Sequence, residues 1–336
     1  MAVEVAMKNQ RKLLSLFCGC GGLDLGFEQA GFETALAYDR REDAVSSWNR
    51  NRPQKKSRVR NIRELTMAQM DEDYGSEFNP IGVIGGPPCQ GFSVANRQGS
   101  SCDPRNTLVT KFFDIALELH ARSPLAFIAM ENVPTIQGVR GGGILDAVSA
   151  KLEENGFLVS DAVLDAVDFH VPQRRRRLFL VAIPKFASDS KWLAPRPVGT
   201  KRTVREAIGN LSEPKLFQRG WDRKNNPHHE NHWCMAPKSP KFFDGTLVEG
   251  FVDNRSFKTL WWDQPSYTVS YGNREVHIHP NGKRRLSVFE AMTLQGFPDW
   301  FVLNGSMSSQ ITQVSEAVPP PLAFAVAKSV VRTLGL

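Results

Sequence analysis

The sequence predicts an α/β fold, in which a doubly wound mixed sheet is joined to a smaller, irregular lobe. The first observation is that short apolar runs alternate with segments of helical periodicity between residues 13 and 183. The second is that this alternation stops from about Pro184 to Tyr271, where prolines, asparagines, tryptophans and basic residues prevail. The third is the length of 336 residues, which is enough for an α/β core with an appended lobe.

The composition predicts a soluble protein of a reducing compartment. Hydrophobic residues make up 41% of the chain, and no apolar run approaches the roughly 20 residues that span a bilayer. The segment from Met1 to Gln10 lacks the apolar core of a secretion signal. The five cysteines are odd in number and scattered, which favours free thiols over a disulfide framework.

The net charge of +7 indicates a polyanionic partner. Basic residues are concentrated in the run Arg174–Arg177 and between residues 185 and 224. Such an excess attracts polyanions through phosphate contacts and counterion release. Charge alone leaves open a basic face that is merely solvated.

The first predicted strand, Leu13 to Phe17, leads into a glycine loop over residues 18–22, and helical spacing resumes from Leu23 to Ala30. Backbone N–H groups and the helix dipole at such a junction can hold an anionic or polar ligand. The spacing differs from the GxGxxG of dinucleotide folds, because Asp24 occupies the position of the third glycine.

The second predicted strand, about Thr34 to Tyr38, ends at Asp39. A carboxylate at this point can accept hydrogen bonds from both hydroxyls of a ribose. It could equally cap the helix that follows. Together with the glycine loop, Asp39 favours a cofactor of the adenosine type.

A third strand, Ile81 to Ile84, opens into Gly85–Ser93, whose two prolines predict an extended loop. Cys89 lies in this loop and could act as a nucleophile if its thiolate is stabilised. The alternative is a turn in which the cysteine has no chemical role.

Later elements follow the same rhythm and complete the sheet. The predicted strands are Ala126 to Met130, Leu158 to Leu164 and Leu178 to Ile183; the predicted helices are Thr107 to Ala121, Ile144 to Asn155 and Pro321 to Leu334, with regularity also from Leu286 to Leu294. Ligands of such sheets bind outside the carboxyl ends of the strands. This rule places the Gly19 loop, Asp39, Cys89 and Glu131 at one edge.

Five segments in this order resemble the successive motifs of DNA (cytosine-5) methyltransferases. They are Phe17–Gly22, Pro87–Ser93, Glu131–Val133, Gln173–Arg177, and Arg284–Leu286 with Leu294–Pro298. The resemblance extends from about Lys12 to Leu334, except for the irregular lobe. It implies a methyltransferase-type catalytic domain over residues 1–183, a target-recognition domain over 184–283 and a return to the catalytic domain over 284–336.

The resemblance implies that S-adenosylmethionine is the cofactor. The residues expected to bind it are Phe17, Gly19, Gly21, Gly22, Leu23, Asp39, Asn61, Ile62, Pro88, Leu108, Glu316 and Ala317. Two positions depart from the family pattern. Asn61 replaces an acid that commonly meets the adenine amino group, and Glu316 replaces a neutral asparagine.

The implied reaction is methyl transfer to C5 of cytosine. A thiolate added at C6 makes C5 nucleophilic, and Cys89 would supply it. Glu131 would hold N3 and the exocyclic amine, and Arg175 would donate to O2. Arg177, Gln90 and Ser93 complete the expected catalytic set. Because Arg175 and Arg177 alternate with Arg174 and Arg176 along a strand, the first pair is expected to face the site.

The implied substrate is a short duplex DNA sequence from which the cytosine is flipped out. The residues expected to contact DNA are Gln90, Arg97, Gln173, Arg174, Thr268, Tyr271, Asn273, Arg274 and Arg284. We expect a monomer in the cytoplasm of a bacterium, associated with the nucleoid, or encoded by a phage, with a possible cognate restriction endonuclease. No metal site is expected, because His228–Cys234 lacks a complete second pair at zinc-like spacing.

Three alternatives remain at this point. The first is an enzyme of the same chemistry that acts on RNA, and the second is a non-catalytic DNA-binding relative. The third is a nicotinamide dehydrogenase, which the incomplete glycine pattern disfavours.

Overall fold

The computed structural model describes residues 11–88, 106–138, 143–218, 220, 222–253, 257–268 and 277–336. Their contacts divide the chain into two compact units. The first consists of Met1–Leu164, Arg176–Arg196 and Ala323–Leu336. The second consists of Asp165–Arg175 and Pro197–Leu322.

A seven-stranded sheet forms the first unit within the described residues. Its strands are β1 (Lys12–Leu16), β2 (Glu33–Asp39), β3 (Ser57–Val59), β4 (Gly82–Gly85), β5 (Phe127–Asn132), β6 (Phe157–Asp165) and β7 (Arg176–Pro184). Their order is β3-β2-β1-β4-β5-β7-β6. Strands β1 to β5 pair in parallel, whereas β7 runs antiparallel to β5, so the predicted doubly wound mixed sheet is confirmed.

Helices connect these strands as the alternating pattern predicts. They are α1 (Gly22–Gln29), α2 (Glu42–Arg50), α3 (Met67–Tyr74), α4 (Asn106–Arg122) and α5 (Ile144–Glu154). Helix α3 and the short strand β3 were not among the predicted elements, and a helix after Asp39, the position of α2, was expected only in the alternative in which Asp39 caps it. The amphipathic α2 buries Ala44, Val45 and Trp48, and a Thr66–Gln69 capping box begins α3.

The core of this unit lies where the central strands meet α4. Leu14 and Leu16 of β1 and Val83 of β4 are fully buried in one cluster with Phe112 and Phe113. Complete burial of an aliphatic or aromatic side chain stabilises by about 1.5–3 kcal/mol. Unlike a half-exposed antiparallel strand, the parallel centre therefore has a nearly continuous apolar run.

The second unit has little regular structure. Its helices are α6 (Val204–Ile208), α7 (Val288–Leu294) and α8 (Met307–Glu316), and α9 (Pro320–Leu334) begins in it and continues into the first unit. Two small two-stranded sheets pair β8 (Lys215–Leu216) with β9 (Trp233–Cys234) and β10 (Val252–Asp253) with β11 (Phe257–Lys258). Helix α8 was not predicted.

The boundaries of the units differ from the expected domain limits. Residues beyond β7 remain with the first unit, where Lys185 N donates to Gly156 O at 3.0 Å and Trp192 Nε1 donates to Ser329 Oγ at 2.7 Å. Residues after 284 remain with the second unit as far as Leu322, because Arg284 pairs with Glu213 there.

The last turns of α9 complete the first unit. A Cβ added to Gly26 of α1 would lie 2.4 Å from Ala323 Cβ and 2.5 Å from Phe324 N. The missing side chain thus permits direct contact between the two helix backbones.

Candidate active site

Parallel register brings the ends of four strands to one edge of the sheet. Leu16 pairs with Tyr38 and with Gly85, and Gly85 pairs with Met130. The residues that follow these four are therefore neighbours, as the strand-end rule predicts. They include the glycine loop, Asp39, the start of the Cys89 loop and Glu131.

The loop after β1 bends through backbone conformations that favour glycine. Gly19 and Gly21 have φ values of +53° and +91°, and Phe17 has a φ of +56°. Gly21 N donates to Cys18 O at 2.9 Å, which closes the turn before α1. A Cβ built on Gly19 would meet no atom of the described residues within 4 Å, so within this part of the chain the face of the loop has space for a ligand.

Asp39 fastens two of the strand ends together. One carboxylate oxygen accepts from Gly19 N at 3.0 Å and the other from Arg41 N at 2.9 Å. Helix α2 begins after Arg41, whose side chain makes no capping hydrogen bond, and the two bonds of Asp39 reach Gly19 and Arg41 rather than the first turn of the helix. A carboxylate accepts about four hydrogen bonds, which leaves Asp39 capacity for the hydroxyls of a ribose.

The other expected cofactor residues of the first unit differ in exposure. Ile62, Leu23 and Leu108 are buried, and Phe17 packs against the main core. Asn61 is exposed; its Nδ2 donates to Glu64 at 2.6 Å and its Oδ1 accepts from Arg63 N at 3.3 Å. The amide oxygen expected to meet adenine thus already accepts one local hydrogen bond.

Glu131 adjoins the residues that lead into the Cys89 loop. Glu131 is 8% exposed, and a Cβ on Gly86 would lie 3.0 Å from Glu131 Oε2. The neighbouring Asn132 donates from Nδ2 to Pro87 O at 3.2 Å. Two motifs that are separated in sequence therefore meet at the ends of β4 and β5. Asn132 was not among the expected site residues, and its side chain holds the backbone at Pro87.

Arg177 is the guanidinium that pairs with Glu131. Its Nε lies 2.8 Å from Glu131 Oε1, and both side chains are nearly buried. Burial lowers the pKa of Arg177 from its ordinary value, and the Coulombic attraction and hydrogen bond of Glu131 oppose this change.

Arg175 donates to main-chain carbonyls of the second unit. The residue precedes β7, belongs to the second unit and is 1% exposed. Its Nη2 donates to Ser315 O at 2.7 Å and to Ala317 O at 3.0 Å. Arg175 and Arg177 are less exposed than Arg174 and Arg176, although the strand itself begins only at Arg176. Arg174 and Arg176 are exposed, as their alternation predicts.

The second unit holds three of the expected DNA contacts close together. Gln173 bridges to Ser266 in parallel and is fully buried, and Arg174 N donates to Ser266 O at 3.0 Å. Thr268 Oγ1 donates to Arg174 O. Burial makes Gln173 a part of the unit's interior rather than a surface contact, while Arg174 remains exposed.

Arg284 forms a buried ion pair with Glu290 and a second ion pair with the exposed Glu213. Its guanidinium contacts both oxygens of Glu290 at 2.8 and 2.9 Å and Glu213 at 2.7 Å, and the residue is 6% exposed. Its expected DNA contact conflicts with this burial, since these carboxylates already bind the fork.

The histidines of residues 228–232 also have partners within this unit. His229 Nε2 lies 3.1 Å from Phe301 O, and His232 Nδ1 lies 2.9 Å from Ser287 Oγ. Among the residues that the structure describes, no group of three metal-ligating side chains is found.

The C-terminal departure from the family pattern lies at the end of α8. Glu316 is the last residue of this helix and is exposed, and Ala317 is its C-cap. Ala317 O accepts from Gln295 Nε2 at 2.7 Å as well as from Arg175.

Several expected site residues lie outside the described parts of the chain. They are Cys89, Gln90, Ser93, Arg97, Tyr271, Asn273 and Arg274. Pro88, which immediately precedes the cysteine, is half-buried.

The geometry agrees with a comparison of the chain with known families. A sequence model described as C-5 cytosine-specific DNA methylase matches residues 11–332. The chain belongs to this family. It is an enzyme of the C-5 cytosine DNA methyltransferase class, which excludes the alternative of a nicotinamide dehydrogenase.

Type II methyltransferases from other organisms are similar to this methylase over nearly its full length. Type II methyltransferase M.MthTI of Methanothermobacter thermautotrophicus is 31% identical over 96% of this chain and 97% of its own. Type II methyltransferase M.FnuDI of Fusobacterium nucleatum is 30% identical over 96% of this chain and 95% of its own.

Solved structures share the fold. An E. coli prophage protein described as a DNA modification methyltransferase has a TM-score of 0.79 at 22% identity, and the match covers 97% of this chain and 99% of that one. The S. pombe Dnmt2 methyltransferase has a TM-score of 0.63 at 15% identity, over 97% and 99% of the two chains. The fold of this methylase is that of S-adenosylmethionine-dependent methyltransferases, and its substrate class is DNA. In the described residues, no helix is long and apolar enough to cross a membrane.

Proposed function

We propose that this methylase transfers a methyl group from S-adenosylmethionine to C5 of a cytosine flipped out of a short duplex DNA sequence, through a covalent adduct with Cys89. The observation that carries the proposal is the meeting of Gly86 and Pro87 with Glu131 and Asn132. It joins the segment of the expected nucleophile to the expected acid at a ligand-binding edge of the sheet.

The glycine loop and Asp39 support the cofactor assignment. Gly19 has open space on one face, and the Asp39 carboxylate retains acceptor capacity at the adjacent strand end. Hydrogen bonds from ribose hydroxyls to Asp39 would fix the nucleoside, and Phe17 would contact the adenine. Bound here, S-adenosylmethionine would supply an electrophilic methyl group.

Catalysis by the chain begins with the cysteine. Addition of the Cys89 thiolate to C6 of cytosine would raise the electron density at C5, which could then accept the methyl group of the sulfonium, with the thioether S-adenosylhomocysteine as the leaving group. Loss of the C5 proton to a water molecule then restores the double bond and releases the thiol. The ring is held from its polar side, where Glu131 would contact N3 and the exocyclic amine.

Arg177 is a better candidate than Arg175 for the donor to O2. The Arg177 guanidinium lies 2.8 Å from Glu131, so one ring could contact both side chains. The Arg175 guanidinium instead donates to two main-chain carbonyls at the end of α8. A donor aimed at developing negative charge stabilises the transition state.

The experiment is to compare the wild type with Cys89→Ala on duplex DNA, with Cys102→Ala as a matched control in the same stretch of sequence. We expect Cys89→Ala to lose methylation while it retains S-adenosylmethionine binding by calorimetry. DNA with 5-fluorocytosine at the target should trap a covalent complex with the wild type and the control only. Turnover by Cys89→Ala would exclude the covalent route.

The target sequence and the role in the cell follow from a second measurement. Bisulfite sequencing of DNA from cells that express the chain should reveal 5-methylcytosine in one short sequence context. We propose a monomeric modification enzyme that protects this site from a cognate endonuclease, in line with the type II names of its relatives. Equal methylation of tRNA and duplex DNA in vitro would instead favour the RNA alternative.

A further inference from the structure

The glycine loop after β1 has one open face and one face that is tightly packed. On the open face, a Cβ at Gly19 would meet no atom of the described residues within 4 Å. On the packed face, a Cβ at Gly21 would lie 2.6 Å from Trp48 Cδ1 and 2.7 Å from Arg52 Nη1. The loop backbone therefore packs directly against Trp48, which lies in helix α2, and Arg52, which follows the end of this helix.

Arg52 forms a hydrogen bond with the loop itself. Its Nη2 donates to Gly21 O at 3.1 Å, and its Nε lies 2.9 and 3.0 Å from the two oxygens of Glu28. The residue is 7% exposed. The planar fork of arginine thus connects the loop to helix α1, and a point charge such as a lysine ammonium could not reproduce both contacts.

Trp48 provides the surface on which this guanidinium lies. The Arg52 Cζ is 4.2 Å from the centroid of the indole ring, which is the geometry of a cation–π contact. The indole Nε1 donates to Asp24 Oδ1 at 3.1 Å. Trp48 and Asp24 are 1% and 0% exposed, so the assembly is fixed inside the unit.

We infer that Arg52 is a positioning residue for cofactor binding, which holds the Gly21 carbonyl and with it the ligand-facing conformation of the glycine loop. Trp48 and Asp24 fix the guanidinium in turn. The inference rests on the proposed function in one respect, because it takes S-adenosylmethionine to be the ligand of this loop. None of the four side chains, Asp24, Glu28, Trp48 and Arg52, belongs to the expected cofactor-binding set.

Arg52→Ala is the direct test. Without the guanidinium the loop loses a charge-assisted hydrogen bond, for which a weakening of about tenfold in affinity is expected. Calorimetry should therefore show the Kd of S-adenosylmethionine to rise about tenfold, and kinetics should show the loss in the KM of S-adenosylmethionine rather than in kcat or in the KM of DNA. Arg50→Ala removes the same charge from an exposed position two residues earlier, at the end of helix α2, and should leave all four values unchanged.

Chemical rescue separates positioning from general damage to the fold. Arg52 and Trp48 line a surface cleft of about 200 Å³ together with Glu28, Thr34 and Lys56. Free guanidinium at low millimolar concentration can therefore reach the space left in Arg52→Ala. We expect it to lower the Kd of this variant, whereas sodium chloride at the same ionic strength should not. Absence of rescue with an unchanged melting temperature would overturn the role of the guanidinium.

Trp48→Phe keeps the test decisive if Arg52→Ala fails to fold. Phenylalanine preserves an aromatic surface for Arg52 but removes the indole N–H, which donates a hydrogen bond to Asp24. We expect a smaller rise in the Kd of S-adenosylmethionine with a normal melting temperature; an unchanged Kd overturns the inference. If the wild type itself fails to bind S-adenosylmethionine, the proposed function fails. If the wild type binds it and Arg52→Ala binds it with the same Kd, only the inference about Arg52 is refuted.

Discussion

Asp24→Asn should stabilise the folded protein at neutral pH and lose this effect in acid. The Asp24 carboxyl is completely buried, and burial raises its pKa to about 6 from 3.8, although Arg52 acts in the opposite direction. The other groups that face it are Glu28, which raises its pKa further, and the buried thiols of Cys18 and Cys20. The folded state therefore binds a proton at Asp24 more tightly than the unfolded state does.

The size and sign of the effect follow from this difference. A pKa that is higher by about two pH units corresponds to about 3 kcal/mol. Because the folded pKa is raised, the contribution of Asp24 to stability is fully present below pH 3.8 and is lost as the pH rises through about 6. An asparagine carries no charge, retains an oxygen for Trp48 Nε1, and can donate to the neighbouring Ser15 Oγ.

Urea unfolding followed by circular dichroism at pH 4 and at pH 7.5 measures the effect. We expect the free energy of unfolding of Asp24→Asn, relative to wild type, to be greater at pH 7.5 than at pH 4 by about 2–3 kcal/mol. Asp73→Asn is the control of opposite sign. Burial of Asp73 is outweighed by bonds from Arg60 and Tyr38, so its pKa is lowered and its stabilisation is lost as the pH falls. A pH-independent difference for Asp24→Asn would refute the reasoning.

Three further changes test the active site and the second unit. Arg177→Lys should lower kcat by about a hundredfold, because the fork that contacts Glu131 would be lost; an unchanged kcat would exclude Arg177 as the donor to O2. Gly86→Ala should lower kcat with little change in melting temperature, since its methyl group would lie 3.0 Å from Glu131 Oε2. Full activity would show that Glu131 can move away from this methyl group without loss of function. Arg284→Ala should cost about 3–5 kcal/mol in unfolding experiments by leaving Glu290 buried without its partner, and a loss of DNA affinity at full stability would instead restore its role as a DNA contact.

Local patterns predicted most of the sheet and the approximate bounds of its elements. The strand predicted from Leu13 to Phe17 is β1, and the helix predicted from Thr107 to Ala121 is α4, with ends displaced by one residue. These elements have long apolar runs or clear helical periodicity. Helix α8 was missed because its mean composition is polar, although Ser306 caps its start.

The partners of individual arginines could not be predicted from the motif that contains them. Arg175 and Arg177 are two residues apart, as side chains on one face of a strand are. Arg175 nevertheless donates to the carbonyls of Ser315 and Ala317, whereas Arg177 pairs with Glu131. Strand β7, which pairs with β5, begins at Arg176, so Arg177 lies within this strand whereas Arg175 precedes it.

The sequence alone determined the fold class, the family resemblance and the glycine loop, because each is encoded in neighbouring residues: apolar periodicity, motif order and the positive φ that glycine permits. Only the tertiary structure decided which side chains support that loop and which charged residues form ion pairs. Arg52 meets Gly21 across 31 positions of sequence, and Arg284 meets Glu213 across 71. Such contacts depend on how separate elements pack together, and the packing energy that selects them is shared among many residues and has no local pattern.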